Sequence, residues 1–251
     1  PTKILEPSMG RGDLVDYVLK KSPDIQFDLY EIDTNIEPLN TISKDTIVFT
    51  DFMTCDITET YNTIIGNPPF VRTKKGNLYI EFVDKCVKLL NENGELIFIV
   101  PSDFLKLTSA SNLLNNMMKQ GTFTDIIHPH NEKLFEHASI DVIIFRYCKN
   151  NSLSKVTSVN DVKMHVVNTN GIITFSKNKI LPKNKISDFF NVGVGMVTGK
   201  ESVFKNNEYG NIEVLNNKRI KNKYILIKKF PTKNKKLNKY MLDNKEVLIK
   251  R

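Results

Sequence analysis

Short runs of apolar residues recur along the first 150 residues, separated by segments whose apolar residues follow a helical spacing. The runs predict β-strands and the segments predict helices, a pattern typical of βα units on a largely parallel sheet. The predicted strands are Lys3–Glu6, Phe27–Ile32, Thr46–Thr50, Thr63–Gly66, Glu95–Val100, Thr124–His128 and Ile140–Tyr147. The predicted helices are Asp13–Lys21 and Leu78–Asn91, with Gly94 as the C-terminal stop of the second.

The last predicted strand, Ile140–Tyr147, follows Thr124–His128 without an intervening helix, so we expect an antiparallel hairpin. The sheet is then mixed, with one reversed terminal strand. After Asn150 the composition shifts to Asn, Lys and Ser with scattered apolar residues, and extra strands are compatible with residues 152–175. We therefore predict three parts: a main α/β domain over residues 1–150, an extension or linker over 151–185, and the start of a basic second region over 186–251.

The net charge of +8 is unevenly distributed. Residues 1–176 hold 17 Lys and Arg against 22 Asp and Glu, whereas residues 177–251 hold 19 against 6. A basic segment joined to a slightly acidic domain is typical of a phosphate-contacting module beside a catalytic one. A solvated Lys- and Asn-rich tail would have the same composition, so charge alone leaves both interpretations open.

No apolar stretch approaches the roughly 18 residues needed to span a bilayer, and the first residues do not resemble a signal peptide. We expect a cytoplasmic protein that does not bind membranes. The three cysteines are far apart and lack a CxxC spacing or nearby histidines, which predicts neither a disulfide framework nor a metal site. Because the chain begins at Pro1 and enters an apolar run at once, we also expect further sequence before it.

A glycine-containing turn, Glu6–Gly12, follows the first predicted strand and leads into a helix. Glycines at such a turn let the backbone approach a ligand closely. The spacing is not that of a pyrophosphate-binding loop, and the carboxylate of Glu6 would repel phosphates. It suits a positively charged ligand, such as the ammonium and sulfonium groups of S-adenosylmethionine.

Acidic residues also end the next two predicted strands. Glu31 lies 19 positions after Gly12, a distance suited to a carboxylate that accepts hydrogen bonds from ribose hydroxyls. Asp51 is followed by Phe52, and this pair could bind an adenine by its amino group and its face together. Taken in isolation, Glu31 could equally be an exposed charge at the end of a strand.

The most informative segment is Asn67–Phe70, Asn-Pro-Pro-Phe, directly after the fourth predicted strand. Two consecutive prolines stiffen the loop and remove two backbone donors. The amide oxygen of Asn67 and the carbonyl of Pro68 can therefore accept from one NH2 group without competition from the loop. The ring of Phe70, after Pro69, is positioned to stack on a planar ring.

With this motif, residues 3–150 resemble the gamma class of N6-adenine DNA methyltransferases, the TaqI-like enzymes of restriction–modification systems. The resemblance implies a Rossmann-like S-adenosylmethionine-dependent methyltransferase fold, with residues 1–150 as its catalytic domain. It places the catalytic residues at Asn67, Pro68, Pro69 and Phe70. It places the cofactor-binding residues at Glu6, Pro7, Ser8, Gly10, Gly12, Glu31, Ile32, Asp51, Phe52 and Asn67.

The resemblance also implies that residues 77–82 form the family's next motif and that Phe135 stacks on the target base beside Phe70. By periodicity alone, a core position explains Phe135 better than a stacking role does. The expected partners are double-stranded DNA, bound by the basic region, and a cognate restriction endonuclease or fused nuclease domain. The chain departs from the family at Phe70, where tyrosine is commoner, and in the N-terminal motif, which is not visible. The alternatives are methylation of a protein glutamine or of RNA adenine, and a DNA-binding specificity component without activity.

Overall fold

The computed structural model describes residues 3–74, 76–131, 140–150 and 155–179, which form one ten-stranded mixed sheet flanked by three α-helices. The strands are β1 (Lys3–Glu6), β2 (Gln26–Glu31), β3 (Ile47–Phe49), β4 (Tyr61–Gly66), β5 (Leu90–Pro101), β6 (Gly121–Ile127), β7 (Val142–Lys149), β8 (Val156–Val159), β9 (Val162–Thr169) and β10 (Ile172–Ser176). The helices are α1 (Asp13–Lys21), α2 (Leu78–Leu89) and α3 (Ser111–Gln120). The strand order across the sheet is β10-β9-β8-β6-β7-β5-β4-β1-β2-β3.

The first five strands are mutually parallel, as the alternation of apolar runs and helices predicted. Strand β1 pairs with β2 on one side and β4 on the other, while β3 and β5 extend this unit outward. Because the five strands share one direction, the loops that follow them lie at one edge of the sheet. Helix α1 has the predicted bounds, with Asp13 and Asp16 in its first turn and Lys20 and Lys21 in its last, which complements the helix dipole.

The reversed strand is confirmed. Strand β7 lies between β6 and β5 and is antiparallel to both. Strand β6 is the hairpin partner that the sequence predicted, and β5 is a second neighbour. A second reversed strand, β9, pairs antiparallel with β8 and β10. The sequence predicted one reversed strand, whereas the described residues contain two. The second was missed because it lies in the polar segment after Asn150, where the alternation of apolar residues is weak.

The predicted stop of the second helix at Gly94 is wrong. Helix α2 ends at Leu89 and β5 begins immediately at Leu90, so Gly94 lies within a strand. The left-handed residue nearby is Asn93, with φ of 64°. Gly94 fits a crowded place in the sheet, since a Cβ there would lie 3.0 Å from the carbonyl oxygen of Tyr61 on the neighbouring strand.

Helix α3 has no counterpart among the predicted elements. Its sequence is rich in Asn and Ser, and tertiary packing decides its conformation. Its own residues Leu114 and Met117 are fully buried. The hydroxyl of Tyr147 donates to the Met117 carbonyl at 2.8 Å.

The sheet continues beyond Asn150 through β8, β9 and β10. Strand β8 pairs parallel with β6, and the turn after it contacts the end of β6, where Asn160 exchanges two hydrogen bonds with the His128 main chain at 2.7 and 3.0 Å. The domain boundary predicted at residue 150 thus falls between strands of one sheet, and the extra strands considered for residues 152–175 are present. The predicted basic region over 186–251 lies outside the described residues.

An aromatic cluster fills the interior beside β5 and β7. The ring of Phe145 lies 5.4 Å from Phe123, 5.7 Å from Phe104 and 6.3 Å from Phe98, measured between centroids, and all four rings are fully buried. Burial of each such ring stabilises the fold by about 2–3 kcal/mol. None of the helices in the described residues has the length and apolar character that a membrane crossing requires.

Candidate cofactor and substrate site

A cavity of about 660 Å³ opens at the edge where the parallel strands end. Residues from the loops after β1, β2, β3 and β4 line it, together with the first turns of α2. The lining residues are Pro7, Ser8, Gly10, Glu31, Ile32, Thr50, Asp51, Phe52, Met53, Asn67, Pro69, Thr73, Lys74, Leu78, Glu81 and Phe82. The structure therefore brings together residues from five of the segments singled out in the sequence.

The loop after β1 depends on glycine at two positions. Gly10 has φ of 57° and a Cβ there would meet no atom within 4 Å, so its open side offers space for a ligand. Gly12 has φ of 88° at the N-cap of α1 and does not line the cavity, because the buried side chain of Ile42 lies against it. Its role is to let the chain turn into the helix.

Glu31 ties this loop to the end of β2. Its carboxylate accepts backbone N–H bonds from Gly10 at 2.8 Å, Ile32 at 2.8 Å and Asp33 at 2.9 Å. A carboxylate offers about four acceptor positions, so one remains on the oxygen that receives Gly10. Glu31 can thus accept one further hydroxyl from the cavity while it holds the loop in place.

Glu6 lies beneath the cavity rather than on its wall. Its side chain is 1% exposed, and one oxygen accepts a 3.3 Å bond from the Ser8 N–H. Burial raises the pKa of Glu6 to about 8, the Ser8 bond opposes this rise, and the negative charge of Glu31 adds to it. Gly66, at the end of β4, leaves room for this carboxyl, because a Cβ there would lie 3.1 Å from Glu6 Oε1 and 2.9 Å from the Phe98 ring.

Asp51 and Phe52 form the wall of the cavity beyond β3. One carboxylate oxygen of Asp51 accepts the Met53 N–H at 2.9 Å, and the other is free of described hydrogen bonds. The Phe52 ring is buried, stacked on Phe82 at 5.4 Å with an interplanar angle of 24° and in edge contact with Tyr30 at 5.4 Å.

The Asn67–Phe70 loop borders the same cavity. Asn67 is exposed and Pro69 half-buried, and both line it, whereas Pro68 is buried and does not. The half-buried ring of Phe70 makes an edge contact with Tyr79 at 6.0 Å between centroids. Asn67 thus lines the cavity and is also exposed to solvent.

Sequence reasoning missed part of the wall. A tight turn from Thr73 to Gly76, closed by a 2.7 Å bond from the Thr73 N–H to the Gly76 carbonyl, brings Thr73 and Lys74 to the cavity. Glu81 on α2, within the predicted motif of residues 77–82, also lines it. The sequence signal for this turn was the glycine at position 76, which has a φ of 139° in the structure. Nothing local in the sequence indicates which surface the turn faces. The predicted stacking residue Phe135 lies outside the described residues.

Within the described part of the chain, no group of three or more His, Cys, Asp and Glu side chains is arranged to hold a metal ion. The cavity instead has carboxylates, an amide and aromatic rings on its wall. This set suits an organic ligand with hydroxyl and amino groups.

Residues 16–135 match the family model described as Eco57I restriction-modification methylase. Over 208 residues, 74% of this chain, the sequence is 29% identical to the type II methyltransferase M.HincII of Haemophilus influenzae. Over 119 residues it is 34% identical to the type II methyltransferase M.CvrRI of Paramecium bursaria Chlorella virus XZ-6E, covering 42% of this chain and 31% of that protein. The chain spans 40% of the length of the Haemophilus relative.

Two solved structures share the fold. A class I S-adenosylmethionine-dependent methyltransferase from Listeria monocytogenes superposes with a TM-score of 0.51 at 16% identity, over 61% of this chain and 55% of that one. The M protein of the type I restriction enzyme EcoKI superposes with a TM-score of 0.50 at 14% identity, over 63% of this chain and 43% of that one. The predicted methyltransferase fold is therefore confirmed.

Proposed function

We propose, from the match of residues 16–135 to the restriction-modification methylase family model, that the protein transfers a methyl group from S-adenosylmethionine to the N6 amino group of an adenine in DNA. The observation that carries the proposal is the position of Asn67. It lines the cavity suited to the cofactor and is also exposed toward the surface from which a substrate would approach.

The cavity fits S-adenosylmethionine in size and in chemistry. Its volume of about 660 Å³ lies within the range of small-molecule sites. Gly10 and Ser8 border the part suited to the methionine group, Glu31 has one acceptor position left for a ribose hydroxyl, and Asp51 with Phe52 suits the adenine. When bound, S-adenosylmethionine supplies an electrophilic methyl group.

Glu6 lies beneath the cavity and acts on it electrostatically. Its buried carboxyl is not in direct contact with the cavity, and its raised pKa means that it is largely neutral at neutral pH without a cationic partner. A ligand ammonium group near Ser8 would favour ionised Glu6, because an opposite charge lowers the pKa of a carboxyl. We therefore assign Glu6 an electrostatic role toward the methionine end.

The residues of the Asn67–Phe70 loop prepare the target nitrogen. The lone pair of adenine's amino group is delocalised into the ring, which makes the nitrogen a poor nucleophile. Hydrogen bonds from the amino group to the Asn67 side-chain oxygen and the Pro68 carbonyl would make it more tetrahedral and stabilise the positive charge that develops there. After transfer, the methylated ammonium is acidic and loses its proton readily, so a strong base is not required.

An adenine within a duplex does not expose its amino group to such a loop. The base must leave the helix, at a cost of a few kcal/mol, and be held by stacking. Phe70 is half-buried at the loop's outer side, which leaves part of its ring accessible, and Phe135 is the second aromatic assigned to this role. The basic residues after 177 would contact phosphates and position the duplex.

Methylation of a protein glutamine or of RNA adenine would use the same amide and carbonyl acceptors. The match to restriction–modification methylases and the concentration of positive charge after residue 177 favour DNA over protein. Methylation of a protein glutamine would be compatible with a compact chain that ends near the seventh strand, whereas three described strands, β8, β9 and β10, follow β7 here.

The test is to incubate the full-length protein with tritiated S-adenosylmethionine and separate pools of DNA, RNA and protein. The labelled pool is then digested and the labelled product identified. We expect label in DNA as N6-methyladenine. Label in methylglutamine or in RNA would select the corresponding alternative, and no incorporation by a protein that binds the cofactor would support a role as a specificity component.

A further inference from the structure

Lys85 on α2 makes three contacts with the loop after β3. Its Nζ donates to the carbonyl of Phe52 at 2.5 Å and to the carbonyl of Cys55 at 2.6 Å. The same ammonium lies 4.6 Å from the centroid of the Phe52 ring. The side chain is half-buried, which strengthens these interactions relative to those of a lysine in bulk water.

Few backbone hydrogen bonds hold the loop itself. Residues 50–60, all of them described, contain no helix. The connection between β3 and β4 is therefore a loop, unlike the connection between β4 and β5, which contains α2. The turn is closed locally by Asp51, which accepts the Met53 N–H on its side chain and the Thr54 N–H at 3.0 Å on its carbonyl. The Lys85 ammonium donates to the carbonyls of Phe52 and Cys55, as a lysine near a helix end can donate to unpaired carbonyls there.

These contacts act on the residues assigned to the adenine of the cofactor. Phe52 is held on three sides, by Phe82 stacked on it, by the edge of Tyr30 and by the ammonium of Lys85. Asp51 precedes it directly and has one carboxylate oxygen without a described hydrogen bond on the cavity wall. A shift of the Phe52 carbonyl would therefore move the Asp51 carboxylate as well.

We propose that Lys85 is a positioning residue that fixes the Asp51–Cys55 loop so that the cavity selects adenine over other purines. The inference rests on the proposed function, since it takes the cavity to be the S-adenosylmethionine site. Lys85 does not contact the ligand. It sets the angle at which Asp51 accepts the exocyclic amino group, the feature that distinguishes adenine from hypoxanthine.

The readout is a ratio of affinities measured by calorimetry on the full-length protein. The two ligands are S-adenosylhomocysteine and S-inosylhomocysteine, which carries a carbonyl in place of the amino group. In the wild type we expect a clear preference for the adenosyl ligand. In Lys85→Met we expect that preference to fall about tenfold, the effect of losing one well-aligned hydrogen bond to a charged group.

Lys88→Met is the matched control, because Lys88 lies on the same helix, is exposed and pairs only with Asp84 among described residues, at 2.6 Å. It should leave the preference unchanged, and Lys85→Arg should restore part of it. A purely structural role for Lys85 would weaken both ligands equally and keep the ratio, which would overturn the inference. If the wild type binds neither ligand, the proposed function itself fails, whatever Lys85 does.

Discussion

The buried carboxyl of Glu6 makes the stability of the fold depend on pH. Its pKa is raised to about 8 from an ordinary value of 4.5, so the neutral form is favoured in the folded state. The resulting stabilisation is complete below the unfolded pKa and is lost as pH rises from about 4.5 toward 8. The loss has a slope on the order of 1 kcal/mol per pH unit.

We therefore expect Glu6→Gln to lose less stability than the wild type between pH 5.5 and pH 7.5. Urea denaturation of both proteins without cofactor, at the two pH values, measures the difference. Glutamine keeps the size of the side chain and cannot ionise, so parallel pH profiles would show that folding does not raise the pKa of Glu6.

Asn67 is expected to contribute to methyl transfer and little to the binding of S-adenosylmethionine. Asn67→Ala should leave the affinity for S-adenosylmethionine within about twofold, because one exposed side chain contributes little to a site of this size. Turnover on DNA should fall at least about 100-fold, the effect typical of removing one group that stabilises developing charge. Calorimetry and single-turnover labelling give the two quantities, and retained turnover would contradict the proposed mechanism.

At the scale of elements, the β9–β10 hairpin is fastened to α3 by a turn that only glycine can form. Gly171 has φ of 82°, and a Cβ there would lie 2.0 Å from the carbonyl oxygen of Ser111, the first residue of α3. Because that contact is with backbone, a side-chain rotation cannot relieve it. The strands after residue 150 are thus packed against the same helix that covers β6.

Gly171→Ala should therefore destabilise the protein by roughly 3 kcal/mol or more, the sum of left-handed strain and overpacking. Gly10→Ala is the control, since Gly10 is also left-handed, at φ of 57°, but has open space around it. It should cost only about 1–2 kcal/mol. Equal destabilisation of the two variants would mean that the hairpin is not held against α3.

At the scale of the whole molecule, the proposed reaction requires the target base to leave the duplex. Stacking on one extrahelical base contributes about 1–3 kcal/mol, enough to offset much of the cost of unpairing. Once the target adenine is mapped, 2-aminopurine at that position should brighten when the wild-type protein binds. Phe135→Ala should weaken this signal and methylation without the loss of about 3–5 kcal/mol in stability expected of a core phenylalanine. Normal flipping with a large loss of stability would place Phe135 in the core.

The basic residues after 177 should determine how DNA affinity depends on salt. Replacing Lys228 and Lys229 with alanine should reduce the slope of log affinity against log salt concentration by up to about 2, because each lysine that neutralises a phosphate adds about 1 to that slope. Replacing Lys20 and Lys21, on α1 of the slightly acidic domain, is the control and should leave the slope unchanged. The reverse result would move the DNA-binding surface onto the α/β domain.

The sequence by itself determined the parallel strands, helix α1, the reversed strand β7 and the residues at the strand ends. These follow from local periodicity and from the rule that parallel strands end at one edge, which brought Gly10, Glu31, Asp51 and Asn67 to one cavity. The Asn67–Phe70 motif added the chemistry, because two prolines between an amide and an aromatic ring restrict what the loop can do.

Only the tertiary structure decided which of these residues face the ligand. Glu6 lies beneath the cavity because Gly66, remote in sequence but on the neighbouring strand β4, leaves space for it. Lys74 reaches the wall through a turn whose direction depends on packing. The conformation of α3 and the contacts of Lys85 with the Phe52 loop likewise join segments about 30 residues apart. Such contacts depend on free energy gained between segments remote in sequence, which local periodicity does not encode.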